Sequence, residues 1–153
     1  KFLSKIKKQK NISIFLKPRL GSFLLNENIN YYKKFKIFKY KSRMYEIFGK
    51  FSLIIFERLS LGIVESIYLN QPTIFYYPNN LYKMKNKEYN EVIKLLKKAN
   101  IFFDDFKKIN KIISTKNGIN NWWLNKQNIE NREKILLKYA KSFEFKDLKQ
   151  FNT

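Results

Sequence analysis

Short apolar runs are the first pattern in the sequence. They cover residues 51–56, 72–77 and 101–103, and polar or Pro-containing segments follow each of them. Such runs are typical of parallel strands covered on both faces. A run within residues 11–20, stopped by Pro and Gly, predicts a further buried strand, and the weak alternation of residues 31–41 predicts a short edge strand.

Helical periodicity fills the segments between these runs. Residues 88–99 carry apolar side chains at i, i+3, i+4 and i+7, and Asn100 ends the predicted helix. Further helices are predicted from residue 106 and over residues 127–143. The alternation of strands and helices predicts an α/β fold: a Rossmann-like, mostly parallel sheet with helices on both faces.

The length of 153 residues accommodates one domain with a real core and leaves no room for a second full domain. We therefore expect a single α/β domain over residues 1–153. Because the first residue is Lys1 rather than Met, we also expect it to be the C-terminal part of a larger, two-domain protein.

Residues 59–74 place a strand exit, a turn, a short helix and the next strand in the order that builds a nucleotide-binding crevice. Ser60 is a good N-cap and Gly62 lets a ligand approach the backbone, so the first N–H groups of the helix would face an anion such as a diphosphate. Gly62 and Glu65 are expected to share a face away from the apolar stripe, which directs Glu65 into the crevice. The predicted stripe consists of Ile63, Val64 and Ile67.

The formal net charge of +20 arises from 32 basic and 12 acidic residues. Only four of the basic residues are arginine, whereas residues encoded by A/T-rich codons (Lys, Asn, Ile, Phe and Tyr) are abundant. A genome with that bias accounts for most of the basicity, and Lys is a weaker choice than Arg for bidentate phosphate recognition. We therefore disfavour nucleic acid as a partner and rank an anionic membrane surface above it.

The chain contains neither Cys nor His. Their absence excludes disulfides, catalysis that depends on His or Cys, and the usual zinc sites. We predict no cofactor. No apolar run approaches the ~20 residues needed to span a bilayer, and no signal-peptide pattern is visible. The expected location is the cytoplasm, with peripheral contact at the inner face of the membrane.

An ordered set of motifs resembles a known group of enzymes. The set comprises Ser60-Leu61-Gly62-Ile63-Val64-Glu65, Asn70-Gln71-Pro72-Thr73-Ile74, the segment YNEVIKLLKKANIF, the pair Trp122-Trp123 and the segment NREKILLKYAKSF. With these motifs, residues 11–143 resemble the C-terminal, donor-binding half of GT-B-fold glycosyltransferases, and within them a family of bacterial surface-carbohydrate transferases. Glu57-Arg58-Leu59 stands where that family usually has more polar residues.

This resemblance implies a nucleotide-sugar-binding domain that transfers a sugar during surface polysaccharide biosynthesis, without a bound metal. It implies that Glu65 hydrogen-bonds to sugar or ribose hydroxyls; the alternative is that Glu65 caps the helix or pairs with a lysine. In this fold the general base comes from the N-terminal half, which would be a further partner within the same polypeptide. The catalytic residue is therefore unknown.

The predicted donor site draws on two strand ends and one helix. Arg19 would end a strand, where its guanidinium fork could hold a phosphate, with a surface salt bridge as the alternative. The predicted donor-binding residues are Arg19, Ser60, Gly62, Glu65 and Ser66, and Arg58 and Lys17 are weaker candidates for phosphate contact.

Two conspicuous pairs are assigned structural roles. Trp122 and Trp123 could stack on a sugar or base, but packing is the favoured interpretation of a Trp pair before a helix. Asp104 and Asp105 resemble catalytic carboxylates only superficially, because adjacent side chains diverge and the context favours a helix cap.

Three other functions stay open at this point. Looser similarity to the polyol-phosphate transferases of cell-wall polymer synthesis gives an alternative transferase. A basic nucleic-acid-binding module would show steep salt dependence and would lose little when Glu65 is changed. A structural or degenerate remnant would fold without binding a nucleotide.

Overall fold

The computed structural model describes residues 13–17, 36–37, 46–78 and 87–140. The chain divides into two compact units, Lys1–Ile47 and Phe48–Thr153.

A pair of short parallel strands lies in the first unit. β1 (Phe15–Leu16) pairs with β2 (Lys36–Ile37), and Phe15 is the register partner of Lys36. The strands predicted within residues 11–20 and 31–41 are thus confirmed over two residues each. The prediction of a buried strand is wrong for Phe15, whose side chain is 39% exposed, because two paired strands cover little of each other's faces. The Lys36 ammonium lies 5.4 Å from the centre of the Phe15 ring.

The second unit contains a three-stranded parallel sheet. Its strands are β3 (Ile54–Phe56), β4 (Thr73–Tyr76) and β5 (Phe102–Phe103), in the order β3-β4-β5. The central strand is buried as expected, with Thr73 and Ile74 fully inaccessible to solvent. β3 was expected to be covered on both faces, but it is only half-buried because it lies at the edge of the described sheet.

Five helices accompany this sheet in the described part of the second unit. α1 connects β3 to β4, α2 connects β4 to β5, and α5 packs against both α1 and α2. This arrangement is the predicted Rossmann-like α/β fold. The helices are α1 (Leu61–Tyr68), α2 (Lys87–Lys98), α3 (Phe106–Ser114), α4 (Gly118–Trp123) and α5 (Lys126–Tyr139).

The short helix α4 was not predicted from the sequence. The tryptophans were expected only to precede the last helix. Its start depends on Asn117, which has a left-handed φ of 57°, and on Gly118. A Cβ atom at Gly118 would collide with the backbone oxygen of Ile112, so only glycine fits there.

The carboxyl ends of α1 and α2 have the same construction. Asn70 and Asn100 follow the two helices with left-handed φ angles of 53° and 55°. The next amide reaches back to an orphan carbonyl of the helix: Gln71 N–H donates to Ser66 over 2.8 Å, and Ile101 N–H donates to Leu96 over 2.9 Å. These are Schellman-type caps, in which Asn tolerates the left-handed backbone.

Adjacent tryptophans of α4 bind these two caps. The Trp122 indole N–H donates to the backbone oxygen of Asn100, and the Trp123 indole N–H donates to Oδ1 of Asn70, both over 2.9 Å. Trp122 and Trp123 are 8% and 3% exposed. The favoured interpretation of the pair as packing residues is therefore confirmed.

Helix α5 holds the tryptophans in place. The side-chain amide of Asn128 donates to the carbonyl of Trp122. The Arg132 guanidinium donates to the carbonyl of Trp123 over 2.7 Å, and it lies 3.7 Å from the centre of the Trp123 ring. These side chains satisfy carbonyls that the end of α4 leaves unpaired. Burial lowers the pKa of Arg132, an effect that the Glu133 carboxylate opposes.

Gln71 ties the cap of α1 to the segment before β3. Its side-chain oxygen accepts from Gly49 N–H over 2.7 Å, and its amide nitrogen donates to the carbonyl of Phe51 over 2.9 Å. Removal of this buried side chain would therefore take one hydrogen bond from Gly49 N–H and one from the carbonyl of Phe51.

We predict that Gln71→Ala lowers the free energy of unfolding by about 2 kcal/mol, since one substitution removes two hydrogen bonds between a buried side chain and the backbone. Urea unfolding of the full chain measures this change. Gln127→Ala, at an exposed position of α5, is the matched control and should change stability by less than about 0.5 kcal/mol. Equal losses in the two variants would contradict the role given to Gln71.

Candidate functional site

The carboxyl ends of β3, β4 and β5 bring chemically active residues to one edge of the sheet. Register pairs Phe56 with Phe75 and Tyr76 with Phe103, so the residues that follow each strand come out side by side. In parallel α/β sheets this edge is where ligands bind. The residues that emerge there are Glu57 and Arg58 after β3, Tyr77 after β4, and Asp104 and Asp105 after β5.

Helix α1 begins at this edge with an open N-terminus. Ser60 has the extended backbone of an N-cap, with φ −152° and ψ 162°, but its side chain makes no capping hydrogen bond. The first turn contains no acidic residue, and Leu61 at its start is 61% exposed. The position of Ser60 is thus as predicted, while the first amides of the helix receive no side-chain cap from the described residues and can face an anion.

Gly62 packs closely against the Phe56 ring. A Cβ atom there would lie 3.0 Å from Cε1 of the Phe56 ring, closer than ordinary van der Waals contact. The predicted face of Gly62 is wrong: Gly62 lies on the buried side with Ile63, not with Glu65. The reason is that Phe56 reaches over the first turn and covers Gly62. The predicted burial of Ile63 and Ile67 is confirmed, whereas Val64 is only half-buried. The buried residues are Gly62, Ile63, Ser66 and Ile67.

Ser66 and Glu65 differ sharply in their surroundings. Ser66 is fully buried, and its hydroxyl donates to the carbonyl of Ile63 over 2.8 Å, so the side chain is occupied inside the helix. Glu65 is half-buried, and among the described residues no hydrogen bond or ion pair engages its carboxylate. The alternative in which Glu65 pairs with a lysine is therefore not observed in the described part of the chain.

The predicted basic residues fall in different places. Arg58 is exposed in the segment between β3 and α1, close in sequence to the open helix end. Lys17 is exposed directly after β1 in the first unit. Arg19 lies outside the described residues.

Glu57 and Tyr76 are site residues that the sequence analysis did not select. Desolvation raises the pKa of Glu57, and the neighbouring Arg58 charge acts in the opposite direction, although part of the Glu57 side chain is exposed. Desolvation also raises the pKa of Tyr76, and the negative charges of Asp105 and Glu57 add to this effect. The edge therefore carries carboxylates on both sides of Tyr76, Glu57 after β3 and Asp105 after β5, and the Arg58 charge lies next to Glu57.

Asp105 acts as the predicted helix cap. Its carboxylate accepts from Lys107 N–H over 2.9 Å at the start of α3. Asp104 is half-buried beside it. Among the described residues no group of three acidic side chains is arranged to hold a metal ion.

Residues 1–149 match the family model described as LIC12162 family transferase. The chain belongs to this transferase family. No curated protein and no solved structure gives a significant match to the transferase. In the described segments of the transferase, no helix is both long and apolar enough to cross a membrane.

We predict that Glu57→Gln stabilises the transferase relative to the wild type as the pH rises from about 4 to about 7. The raised pKa means that the folded state holds this proton more tightly than the unfolded state, so the wild type loses stability as the pH rises above the ordinary glutamate value of 4.5. Glutamine stays neutral and removes this loss. Urea unfolding at both pH values measures the difference between variant and wild type.

Glu130→Gln, at an exposed position of α5, controls for the loss of one negative charge. If the stability difference between Glu57→Gln and wild type shows no more pH dependence than the control, the inferred desolvation of Glu57 is incorrect.

Proposed function

We propose that the transferase is a glycosyltransferase whose second unit binds a nucleotide-sugar donor at the carboxyl edge of the sheet. The observation that carries the proposal is the uncapped N-terminus of α1 beside exposed Arg58. Membership of a transferase family and the parallel α/β fold support it, because such folds bind nucleotides at this edge.

The donor diphosphate would lie at the start of α1. Amides of Leu61 and Gly62 point along the helix axis, and the helix dipole adds a partial positive charge at the same end. Arg58 can offer two donors to two phosphate oxygens. The nucleoside diphosphate gains negative charge as it leaves, so preorganised donors at this point lower the barrier to sugar transfer.

Glu65 would bind hydroxyl groups of the sugar or ribose. A carboxylate offers two acceptor oxygens, and no described residue occupies them. Ser60 adds a hydroxyl close to the first turn, since its Oγ would be 3.5 Å from a Cβ atom at Gly62. Ser66 is left out of the proposed contacts because its hydroxyl is bonded inside α1.

The remaining parts of the proposal concern the whole protein. Arg19 and Lys17 are further candidates for phosphate contact, and the general base is assigned to an N-terminal half of the same polypeptide. The acceptor is a growing surface polysaccharide at the cytoplasmic face of the inner membrane, where lysine-rich surfaces would rest on anionic lipid. The proposed reaction uses the electrostatics of the helix end and requires no cofactor.

We predict that one nucleotide among UDP, GDP, CMP, CDP and ADP raises the thermal midpoint of the transferase, because a ligand that binds the folded state stabilises it by mass action. Glu65→Gln should reduce that rise and Arg58→Ala should abolish most of it. Glu130→Gln, on a different helix, should leave it unchanged. A thermal-shift panel at two salt concentrations measures all of these.

Other outcomes favour the other functions. No rise with any nucleotide, together with salt-sensitive binding to random DNA, would contradict donor binding and favour a basic nucleic-acid-binding module. A thermal midpoint that rises with CDP, and rises further when a polyol-phosphate donor replaces CDP, would favour a polyol-phosphate transferase. A folded chain that binds neither nucleotide nor DNA would indicate a structural remnant.

A further inference from the structure

Helix α1 is fixed at the end opposite the proposed anion site. Its carboxyl end continues into Asn70, whose side-chain oxygen accepts from the Trp123 indole 53 residues away. Arg132 in turn holds Trp123 through its carbonyl and its ring. A chain of contacts thus joins the core of the second unit to α1, whose N-terminus lies at the carboxyl edge of the sheet.

The position of α1 along its axis matters for anion binding. Amide donors stabilise a developing charge only when they lie at hydrogen-bonding distance from it, and a displacement of about 1 Å is costly. The first turn has no capping side chain of its own to hold it. Its buried face packs on Phe56, β4 and α5, and the hydrogen bond at its carboxyl end adds a directional constraint along the helix axis.

We propose that Trp123 is a positioning residue of the donor site, which sets the position of α1, and with it the first-turn amides, through the hydrogen bond to Asn70. The expected effect on nucleotide binding rests on the proposed function, whereas the role of Trp123 in holding α1 does not. Trp122 makes the equivalent bond to Asn100 at the end of α2, a helix that supplies none of the proposed donor contacts. The structure thus contains its own matched control.

The experiment compares Asn70→Gly with Asn100→Gly in the full chain. Glycine adopts the left-handed backbone of both positions without strain, so both caps keep their shape. Asn70→Gly deletes the acceptor of the Trp123 indole. Asn100→Gly keeps the acceptor of Trp122, because that acceptor is a backbone oxygen. The variants therefore differ in one partly buried hydrogen bond.

The first readout is amide hydrogen exchange, which needs no ligand. Asn70→Gly should speed exchange of the amides that close α1, those of Leu69 and Gln71, about fivefold, as expected for the loss of one hydrogen bond. Asn100→Gly should leave these two amides unchanged. Unchanged exchange in Asn70→Gly, or equal acceleration in both variants, would overturn the inference.

The second readout is the dissociation constant of the nucleotide selected by the thermal-shift panel. Asn70→Gly should weaken binding about fivefold, while Asn100→Gly leaves it unchanged. Equal weakening in both variants, or none in Asn70→Gly, would overturn the positioning role. If the wild type binds no nucleotide, donor binding fails, and the exchange comparison still decides whether Trp123 holds α1.

The pair Trp123→Phe and Trp122→Phe repeats the comparison by removing the indole N–H that donates each hydrogen bond. Both variants keep an aromatic ring and lose an indole N–H, so their losses of stability should be similar. Only Trp123→Phe should reproduce the exchange and binding changes of Asn70→Gly. A Trp123→Phe variant that leaves α1 exchange unchanged would overturn the inference independently of the glycine variants.

Discussion

Two hydrogen bonds from adjacent tryptophans organise the second unit. Successive helices of the sheet each end in a left-handed asparagine, and Trp122 and Trp123 bind one cap each. The carbonyls of the same tryptophans accept from Asn128 and Arg132, so α5 joins α4 and both caps in one network. Buried networks of this kind specify a unique packing when their polar groups find partners.

The network and the candidate site lie at opposite ends of α1. At the carboxyl end, Trp123 and Gln71 hold the helix to α4 and to the segment before β3. At the amino end, the Ser60 side chain does not cap the backbone, exposed Arg58 lies three residues before the helix, and the Phe56 ring packs on Gly62. Stability and proposed function are thus separated along a helix of eight residues, which leaves its unsatisfied amides for a ligand.

Local patterns predicted the features that local physics controls. The apolar spacing of α2, the end of that helix at Asn100 and the cap at Asp105 all depend on neighbouring residues, and the structure has each of them. The parallel arrangement of the strands also followed from alternation. Long-range features did not: the bond between Trp123 and Asn70 joins residues far apart in sequence, and no periodicity specifies it.

The errors at the site have the same physical origin. The buried face of α1 depends on Phe56, a residue of the preceding strand that covers Gly62, and a helical wheel contains no such neighbour. The half-burial of β3 depends on its place at the edge of the described sheet. The pKa of Glu57 and that of Tyr76 depend on charges and burial contributed by three separate strands.

The most direct test of donor binding is an NMR titration of the isotope-labelled full chain with a nucleoside diphosphate. If the diphosphate binds at the N-terminus of α1, the amide signals of Leu61 and Gly62 will shift most. Largest shifts at the exposed lysines of α3, Lys107, Lys108 and Lys111, would contradict it.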